Sequence, residues 1–311
     1  MPTQLPLITP MPRQIFTRPE DIKRVITLPV RTAALSEQRA RDLPLSRPLV
    51  MAILNVTPDS FSDGGRYRSP QHAVECALEM FEQGADIIDI GGESTRPGST
   101  PISAEAEMSR VIPIIRGIRQ ESDIAISIDT YKASTARAAI DAGADIINDI
   151  TAFRADNDMV TVAAQYKTPV ILMHMLGTPA EMQKNPYYVE CVREICEFFE
   201  SRIAYCIEHG IDKSKIILDP GIGFGKRLMD NVQILANLDE FRQFGLPLLV
   251  GASRKSFINM LNPTDKKPEE RLGGSVAAAV VAVLHGADIV RVHDVSETIE
   301  ALKVVQAIKE S

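Results

Sequence analysis

The sequence predicts an α/β fold, a (βα)8 barrel of the TIM type, and two observations carry that prediction. From Pro48 onward, short apolar runs of the buried-strand kind alternate with longer stretches of 3.6-residue periodicity. The alternation supports eight strand–helix units in the span that such a barrel ordinarily needs. The second observation is an internal repeat. Gly84-Ala-Asp-Ile-Ile-Asp89, Gly143-Ala-Asp-Ile-Ile-Asn148 and Gly286-Ala-Asp-Ile-Val-Arg291 share one pattern, in which a glycine ends a helix in the left-handed conformation and a buried strand then runs into a polar residue. An open doubly wound sheet would instead place a glycine-rich phosphate turn after the first strand. That segment here reads Asn55-Val-Thr-Pro-Asp-Ser60.

Taken in order, strands are expected at Leu49–Val56, Asp86–Ile90, Ile124–Asp129, Asp145–Asp149, Val170–His174, Lys215–Asp219, Leu246–Gly251 and Asp288–His293. Each is a short run rich in Val, Ile and Leu, as strands covered on both faces must be. Between them, amphipathic periodicity predicts helices such as His72–Gln83, Ala104–Arg119, Ala133–Ala142, Tyr187–Glu208, Asn231–Phe241 and Val295–Lys309. Residues 1–47 are different: rich in Pro and Arg, with one strand-like stretch, Arg24-Val-Ile-Thr-Leu-Pro-Val30. They are expected to form an N-terminal extension that packs on the domain surface or stays mobile. Residues 48–311 are then expected to form a single barrel domain.

With 34 basic residues against 41 acidic, the 311-residue chain carries a net charge of −7. That balance argues against a nucleic-acid or membrane-surface partner held by bulk charge. No apolar run is long enough to span a bilayer, and the proline-rich first residues lack the apolar core of a secretory signal. The four cysteines, Cys76, Cys191, Cys196 and Cys206, form no CxxC pair and fit reduced thiols in a cytoplasmic protein. No Cys/His cluster suggests zinc.

In such a barrel the chemistry sits at the C-terminal strand ends. These ends carry Asn55, Asp89, Asp129, Asn148 with Asp149, His174, Asp219, Ser253 to Lys255, and Arg291 with His293. A polar residue closing one strand is usually a helix cap or turn former, but all eight ends are polar. Lys255, Arg291 and His293 are poor caps and favour an anion or a polarised carbonyl in the pocket. Asp129, Asn148, Asp219 and Lys255 suit a flat heterocycle. A carboxylate accepts paired N–H bonds from an aminopyrimidine edge, an amide reads one donor and one acceptor, and an ammonium donates to a ring carbonyl. Asp59 and Asp63 lie beside Pro and Gly and read as turn residues, while Asp89 reads as a residue that orients the loop after it. The His174 strand end, flanked by Met173 and Met175, reads as a pocket floor.

Met51-Ala-Ile-Leu-Asn-Val-Thr-Pro-Asp-Ser-Phe-Ser-Asp-Gly-Gly65 and Asp89-Ile-Gly-Gly-Glu-Ser-Thr-Arg-Pro-Gly98 resemble the two signature segments of the dihydropteroate synthase family. Ser127-Ile-Asp-Thr130, Asn148-Asp149, Asp219-Pro-Gly-Ile-Gly-Phe-Gly-Lys226, Ser253-Arg-Lys-Ser-Phe257 and Arg291-Val-His-Asp-Val295 resemble its other motifs, in the same order. The resemblance runs from Pro48 to the C-terminus. It implies condensation of 6-hydroxymethyl-7,8-dihydropterin diphosphate with 4-aminobenzoate, giving 7,8-dihydropteroate and diphosphate.

By the same resemblance, Asp129, Asn148, Asp219 and Lys255 hold the pterin, with Met173 at its floor. Arg291 and His293 contact the diphosphate, and Thr95 and Arg96 lie near it. Asn55 matches a ligand of Mg2+, the implied cofactor. Phe61, Pro97, Phe224 and Ser256 are the candidates for the 4-aminobenzoate pocket, where sulfonamides are expected to compete. The resemblance also implies a homodimer. Two other readings share this barrel: a corrinoid-linked methyltetrahydrofolate methyltransferase and a non-catalytic pterin-binding paralogue. The first has no use for the Ser-Thr-Arg-Pro or Ser-Arg-Lys-Ser segments, and the second predicts loss of Asn55, Thr95, Arg96, Lys255 or Arg291, all of which are present.

Overall fold

A computed structural model describes residues 24–29, 42–56, 69–94, 99–263 and 267–311. Two short strands, β1 (Val25–Thr27) and β2 (Asp42–Pro44), form an antiparallel ribbon. Eight parallel strands follow: β3 (Leu49–Asn55), β4 (Ile87–Gly91), β5 (Ala125–Asp129), β6 (Ile146–Asp149), β7 (Val170–Met173), β8 (Ile216–Asp219), β9 (Leu249–Val250) and β10 (Ile289–Val292). Their order is β8-β7-β6-β5-β4-β3-β10-β9. A parallel bridge between Leu218 and Leu248 brings the two edges together, so the sheet closes as the barrel the sequence predicts.

The helices are α1 (Pro70–Glu82), α2 (Ala104–Glu121), α3 (Ala133–Ala142), α4 (Met159–Tyr166), α5 (Cys191–Glu208), α6 (Leu228–Ala236), α7 (Ser256–Leu261), α8 (Leu272–Leu284) and α9 (Val295–Glu310). Ser69 and Ser103 cap α1 and α2 by accepting from the N–H of His72 and Ala106, each at 3.2 Å. The repeat glycines Gly84, Gly143 and Gly286 take φ of 106°, 117° and 102°, the left-handed turn that ends a helix and feeds a strand.

Two expected helices differ at their ends. The helix expected from Tyr187 starts at Cys191, because the Glu194 carboxylate accepts from the N–H groups of Val189 (2.7 Å) and Glu190 (2.9 Å) and draws the chain out of the helix. The stretch Asn231–Phe241 breaks at Asn237, where α6 gives way to a 3-10 turn over Leu238–Phe244. Helices α4, α7 and α8 are additional to those singled out from periodicity.

Alternation along the strands sets up the site. Val50, Ala52, Leu54, Ile88, Ile90, Ile126 and Ile128 face the helices. The opposite parity faces the barrel axis, where Leu49, Met51, Ile87, Ala125, Ile146, Ile171, Ile217, Leu249 and Ile289 form an apolar plug at the N-terminal end. The β1–β2 ribbon seals that plug with Ile26, Leu28 and Leu45. Arg24 pins the ribbon, with Nη1 3.1 Å and Nη2 3.0 Å from the two carboxylate oxygens of Asp288, and Nη2 also donates to the Leu246 carbonyl. The described part of the N-terminal extension therefore packs beneath the barrel, at the end opposite the strand termini.

Candidate active site

Following the inward parity upward replaces apolar residues with polar ones. Strand β3 presents Met51, Ile53 and Asn55; β4 presents Ile87, Asp89 and Gly91; β5 presents Ala125, Ser127 and Asp129. Register holds Asn55 against Gly91, Gly91 against Asp129, and Asp129 against Asn148 in one row. Asp219 sits beside Met173. These strand ends open on a cavity lined by Asp129, Asn148, Met173, Asp219, Phe224, Lys255 and Arg291, with Ile150, Gly221, Ile222 and Gly251 completing the wall. Residues read from the sequence as pterin contacts or their neighbours thus converge on one pocket.

A chain of charged hydrogen bonds wires its floor. Asp89 is fully buried and its Oδ2 accepts from Arg291 Nε at 2.6 Å and from Asn148 Nδ2 at 3.1 Å. Arg291 reaches on, through Nη2, to Asp129 Oδ2 at 2.8 Å. Asp129 lines the cavity, and its Oδ1 is buried with no partner among the described residues, an acceptor left without a donor. On the other wall, Asp219 Oδ1 accepts from the Gly221 N–H at 2.7 Å. Gly221 has φ +69°, and a Cβ there would lie 2.0 Å from the His174 carbonyl oxygen, so only glycine fits.

Lys255 reaches the pocket from a rigid turn. Arg254 adopts φ 60°. Its N–H donates to Ser275 Oγ (2.9 Å), its carbonyl accepts from Arg271 Nη1 (3.0 Å), and its guanidinium pairs with Asp294 through Nε (3.1 Å) and Nη2. The Lys255 ammonium lies 4.0 Å from the Phe224 ring centroid, a cation–π contact. Ser256 begins α7 and is exposed. His293 sits beside Ser253, whose hydroxyl lies 3.1 Å from Nδ1 and accepts from the His293 N–H at 3.2 Å.

Other strand-end residues have local tasks. Asp149 builds the turn after β6 by accepting from the N–H and hydroxyl of Thr151, both at 2.7 Å, and from the Phe153 N–H at 3.0 Å. His174 does not line the cavity; its ring packs edge-on against Phe198 with centroids 4.8 Å apart. Glu93, in the second signature segment, accepts from Tyr131 Oη at 2.5 Å and pairs with Lys132, which also bonds buried Glu107 at 3.0 Å. Phe61, Thr95, Arg96 and Pro97, with Asp59 and Asp63, lie outside the described residues.

Burial dominates the electrostatics. It pushes Asp129 up to about 7 although Arg291 opposes it, with the carboxylates of Asp89, Glu107 and Asp149 adding to the rise. Burial likewise raises Asp219 to about 6, against the Gly221 N–H and the charges of Lys255 and Arg291. At pH 8 both are acceptors; as pH falls through 7 and then 6 each takes a proton and presents an O–H to the donors it should bind. Affinity for a pterin fragment lacking the diphosphate is therefore expected to weaken steadily from pH 8 to 5, by up to about tenfold per site and pH unit. Calorimetric titration at each pH checks this. A flat profile would show that neither carboxylate accepts from the ligand.

The family model described as pterin binding enzyme matches residues 51–293. The dihydropteroate synthase of Escherichia coli (strain K12) is 51% identical over 265 residues, covering 85% of this chain and 93% of its own length. The chain belongs to the dihydropteroate synthase family. Solved structures of that family share the fold. The Xanthomonas albilineans dihydropteroate synthase with 4-aminobenzoic acid superposes with a TM-score of 0.82 at 45% identity, over 87% of this chain and 96% of the other. The enzyme from the same organism in complex with 7,8-dihydropteroate gives 0.79 at 43% identity, over 87% and 97%. Membership in the dihydropteroate synthase family makes this chain a transferase of folate synthesis.

Sequence reasoning assigned Asp89 only to loop orientation. The structure makes it the hub joining Asn148 and Arg291. The signal was available: Asp89 has the inward parity of β4, two residues below Gly91.

Proposed function

We propose that this enzyme condenses 6-hydroxymethyl-7,8-dihydropterin diphosphate with 4-aminobenzoate, using the cavity above the apolar plug as its pterin site. The observation that carries the reading is the convergence of Asp129, Asn148, Asp219 and Lys255 on that cavity, with the buried Asp129 Oδ1 unmatched by protein among the described residues. Asp129 and Asp219 accept the N–H donors of the aminopyrimidine edge, Asn148 reads a mixed edge, and Lys255 donates to the ring carbonyl. Met173 supplies the apolar floor and Phe224 a wall. Phe224 and Ser256, with Phe61 and Pro97, are assigned to 4-aminobenzoate. Arg291 and His293, with Thr95 and Arg96, are assigned to the diphosphate.

Reaction begins as the bond between the exocyclic carbon and the diphosphate oxygen breaks. The electron pair leaves with diphosphate, and the dihydropterin ring delocalises the cation. Arg291 and His293 stabilise the growing charge on the leaving oxygens. The arylamine nitrogen then forms the new C–N bond and loses a proton to solvent. A weakly basic aniline attacking a cation needs no general base.

The donor set also fits a magnesium ion held through the diphosphate. Among the described residues no group of three His, Cys, Asp or Glu side chains forms a metal cage. Asn55 Oδ1 and the Asp129 carboxylate both approach the bare Cα of Gly91, at 3.5 and 3.6 Å from where a Cβ would stand. One amide oxygen near one carboxylate suits an ion that takes most of its shell from phosphate and water. Asn55 would hold it, and when bound it would neutralise charge on the leaving diphosphate.

An assay of purified protein tests the reading. Dihydropteroate and diphosphate are expected in equal amounts, only when Mg2+ and both substrates are supplied. Pterin binding without product would favour the non-catalytic reading, and full activity in excess chelator would remove Asn55's metal role. The homodimer reading is supported by exposed apolar side chains on two helices, Met260 and Leu261 of α7 and Val281 of α8. Sedimentation tests it. A cytoplasmic setting accords with four cysteines that form no disulfide, and no described helix is long and apolar enough to cross a membrane.

A further inference from the structure

We infer that Lys226 is a positioning residue for the pterin pocket: its ammonium staples the turn after β8 to the end of β7, and so fixes Asp219, Gly221 and Phe224 against Met173. The inference rests on the reading of the cavity as the pterin site. Lys226 does not line that cavity, and nothing in the reaction as derived above uses it.

The geometry is that of a saturated donor. Lys226 is 4% exposed. Its Nζ lies 3.0 Å from His174 Nδ1, 3.3 Å from the His174 carbonyl oxygen and 3.1 Å from the Phe224 carbonyl oxygen. Burial pushes the Lys226 amine down to about 7; in its charged form it is an ammonium, whose three N–H donors meet these three acceptors. The arrangement requires His174 Nδ1 to accept, hence a neutral ring with its proton on Nε2. Burial and the nearby Lys226 and Arg154 charges lower the His174 pKa well below its ordinary value, which keeps the ring neutral. Phe198 and Tyr188 flank that ring, so the acceptor holds its place.

Each partner of the ammonium leads directly to a pocket residue. His174 follows Met173, and its N–H donates to the Asp219 carbonyl at 2.9 Å. The His174 carbonyl is also the atom that excludes any Cβ at Gly221. The Phe224 carbonyl belongs to the residue whose ring carries the Lys255 ammonium. The rest of the turn is held from outside: Asn231 Oδ1 accepts from the Gly223 N–H at 2.6 Å, and Tyr188 Oη donates to the Gly225 carbonyl at 2.9 Å. Lys226 is the tie on the pocket side. Without its charge, two buried carbonyls and a ring nitrogen lose their donor and the turn is free to lift from His174.

The test compares wild type with Lys226→Met, which keeps the stem and removes the charge. Lys226→Met fills the space of the stem and brings no new polar group into the core, and a thermal melt verifies folding. The expected result is selective. Both the Kd for a pterin fragment and the KM for the pterin diphosphate rise about tenfold or more. Measured at saturating pterin, the apparent affinity for the arylamine substrate falls by only about threefold, because of its assigned contacts only Phe224 belongs to the stapled turn. A folded variant with wild-type pterin affinity overturns the inference, as does an equal loss for both substrates, the signature of general loosening. Should Lys226→Met fail to fold, His174→Phe decides, because it keeps an aromatic ring against Phe198 while removing the Nδ1 acceptor together with the Nε2 donor. A selective pterin loss of about threefold supports the staple, and unchanged affinity overturns it. Wild-type binding of the fragment separately tests the pocket reading, since the inference concerns only the ratio of variant to wild type.

Discussion

Asp219→Ala is expected to weaken a pterin fragment by about a hundred- to ten-thousand-fold, the largest effect of any single change in this pocket. The carboxylate at the end of β8 accepts from the ligand's N–H donors, and two charge-assisted hydrogen bonds are each worth roughly 1.5–3 kcal/mol, with tenfold in affinity for every 1.4 kcal/mol or so. The loss has a second source. Asp219 Oδ1 also anchors the Gly221 N–H at 2.7 Å, so alanine releases the turn as well as the ligand. Asp219→Asn separates the two, because it keeps an oxygen for Gly221 while presenting an N–H to the pterin edge. Calorimetry should find the asparagine variant nearly as weak as the alanine one. Near-native affinity in either would remove Asp219 from pterin recognition.

Arg291→Ala is the second large effect, and it acts on stability and on both halves of the pterin substrate. The family resemblance assigns Arg291 to the diphosphate. The structure seats its guanidinium between Asp89 and Asp129. Alanine leaves two buried carboxylates without their cation, a change that costs about 3–5 kcal/mol when one partner of a buried pair is removed. Urea denaturation at pH 7 should show that loss. It should shrink on acidification, since protonating Asp129 relieves the repulsion between the two. The diphosphate substrate is expected to weaken by roughly ten- to several-thousand-fold. The bare pterin should weaken about tenfold, because Asp129 loses the partner that orients it and takes a proton more readily. A bare pterin bound as tightly as by wild type would show that Asp129 holds its geometry without Arg291.

The barrel was legible because buried parallel strands announce themselves. Ile87–Gly91 and Ala125–Asp129 are mostly apolar runs, and the second ends on a residue that lines the pocket. The site residues were legible for the same reason, since a strand end fixes both depth and direction. The pairings were harder to read. Nothing in the spacing of Asp89, Asn148 and Arg291 says that they meet, because their contact depends on three strands brought into register by closure. Lys226 escaped for another reason. It stands in a glycine-rich turn, where a lysine reads as solvent-exposed until the fold shows His174 above it. The N-terminal ribbon was missed as a plug because its apolar residues, Ile26, Leu28 and Leu45, are too few and too scattered to form a period.

The ribbon also constrains how this chain reaches its folded state. Arg24 is held by Asp288, 264 residues away, and β3 gains its second neighbour only when β10 arrives. During synthesis the first barrel strand and the ribbon must therefore wait for almost the last segment made. Until then Leu49 and Met51 lack the cover that closure gives them, and the edge of β3 is open to any passing strand. Contacts of such long sequence separation make folding slow, with the loop entropy spent before the contacts form. The terminal strand–helix unit thus acts as a clasp for the whole ring. A chain cut before β10 should retain its inner helices in part, yet expose an unpaired sheet edge and aggregate.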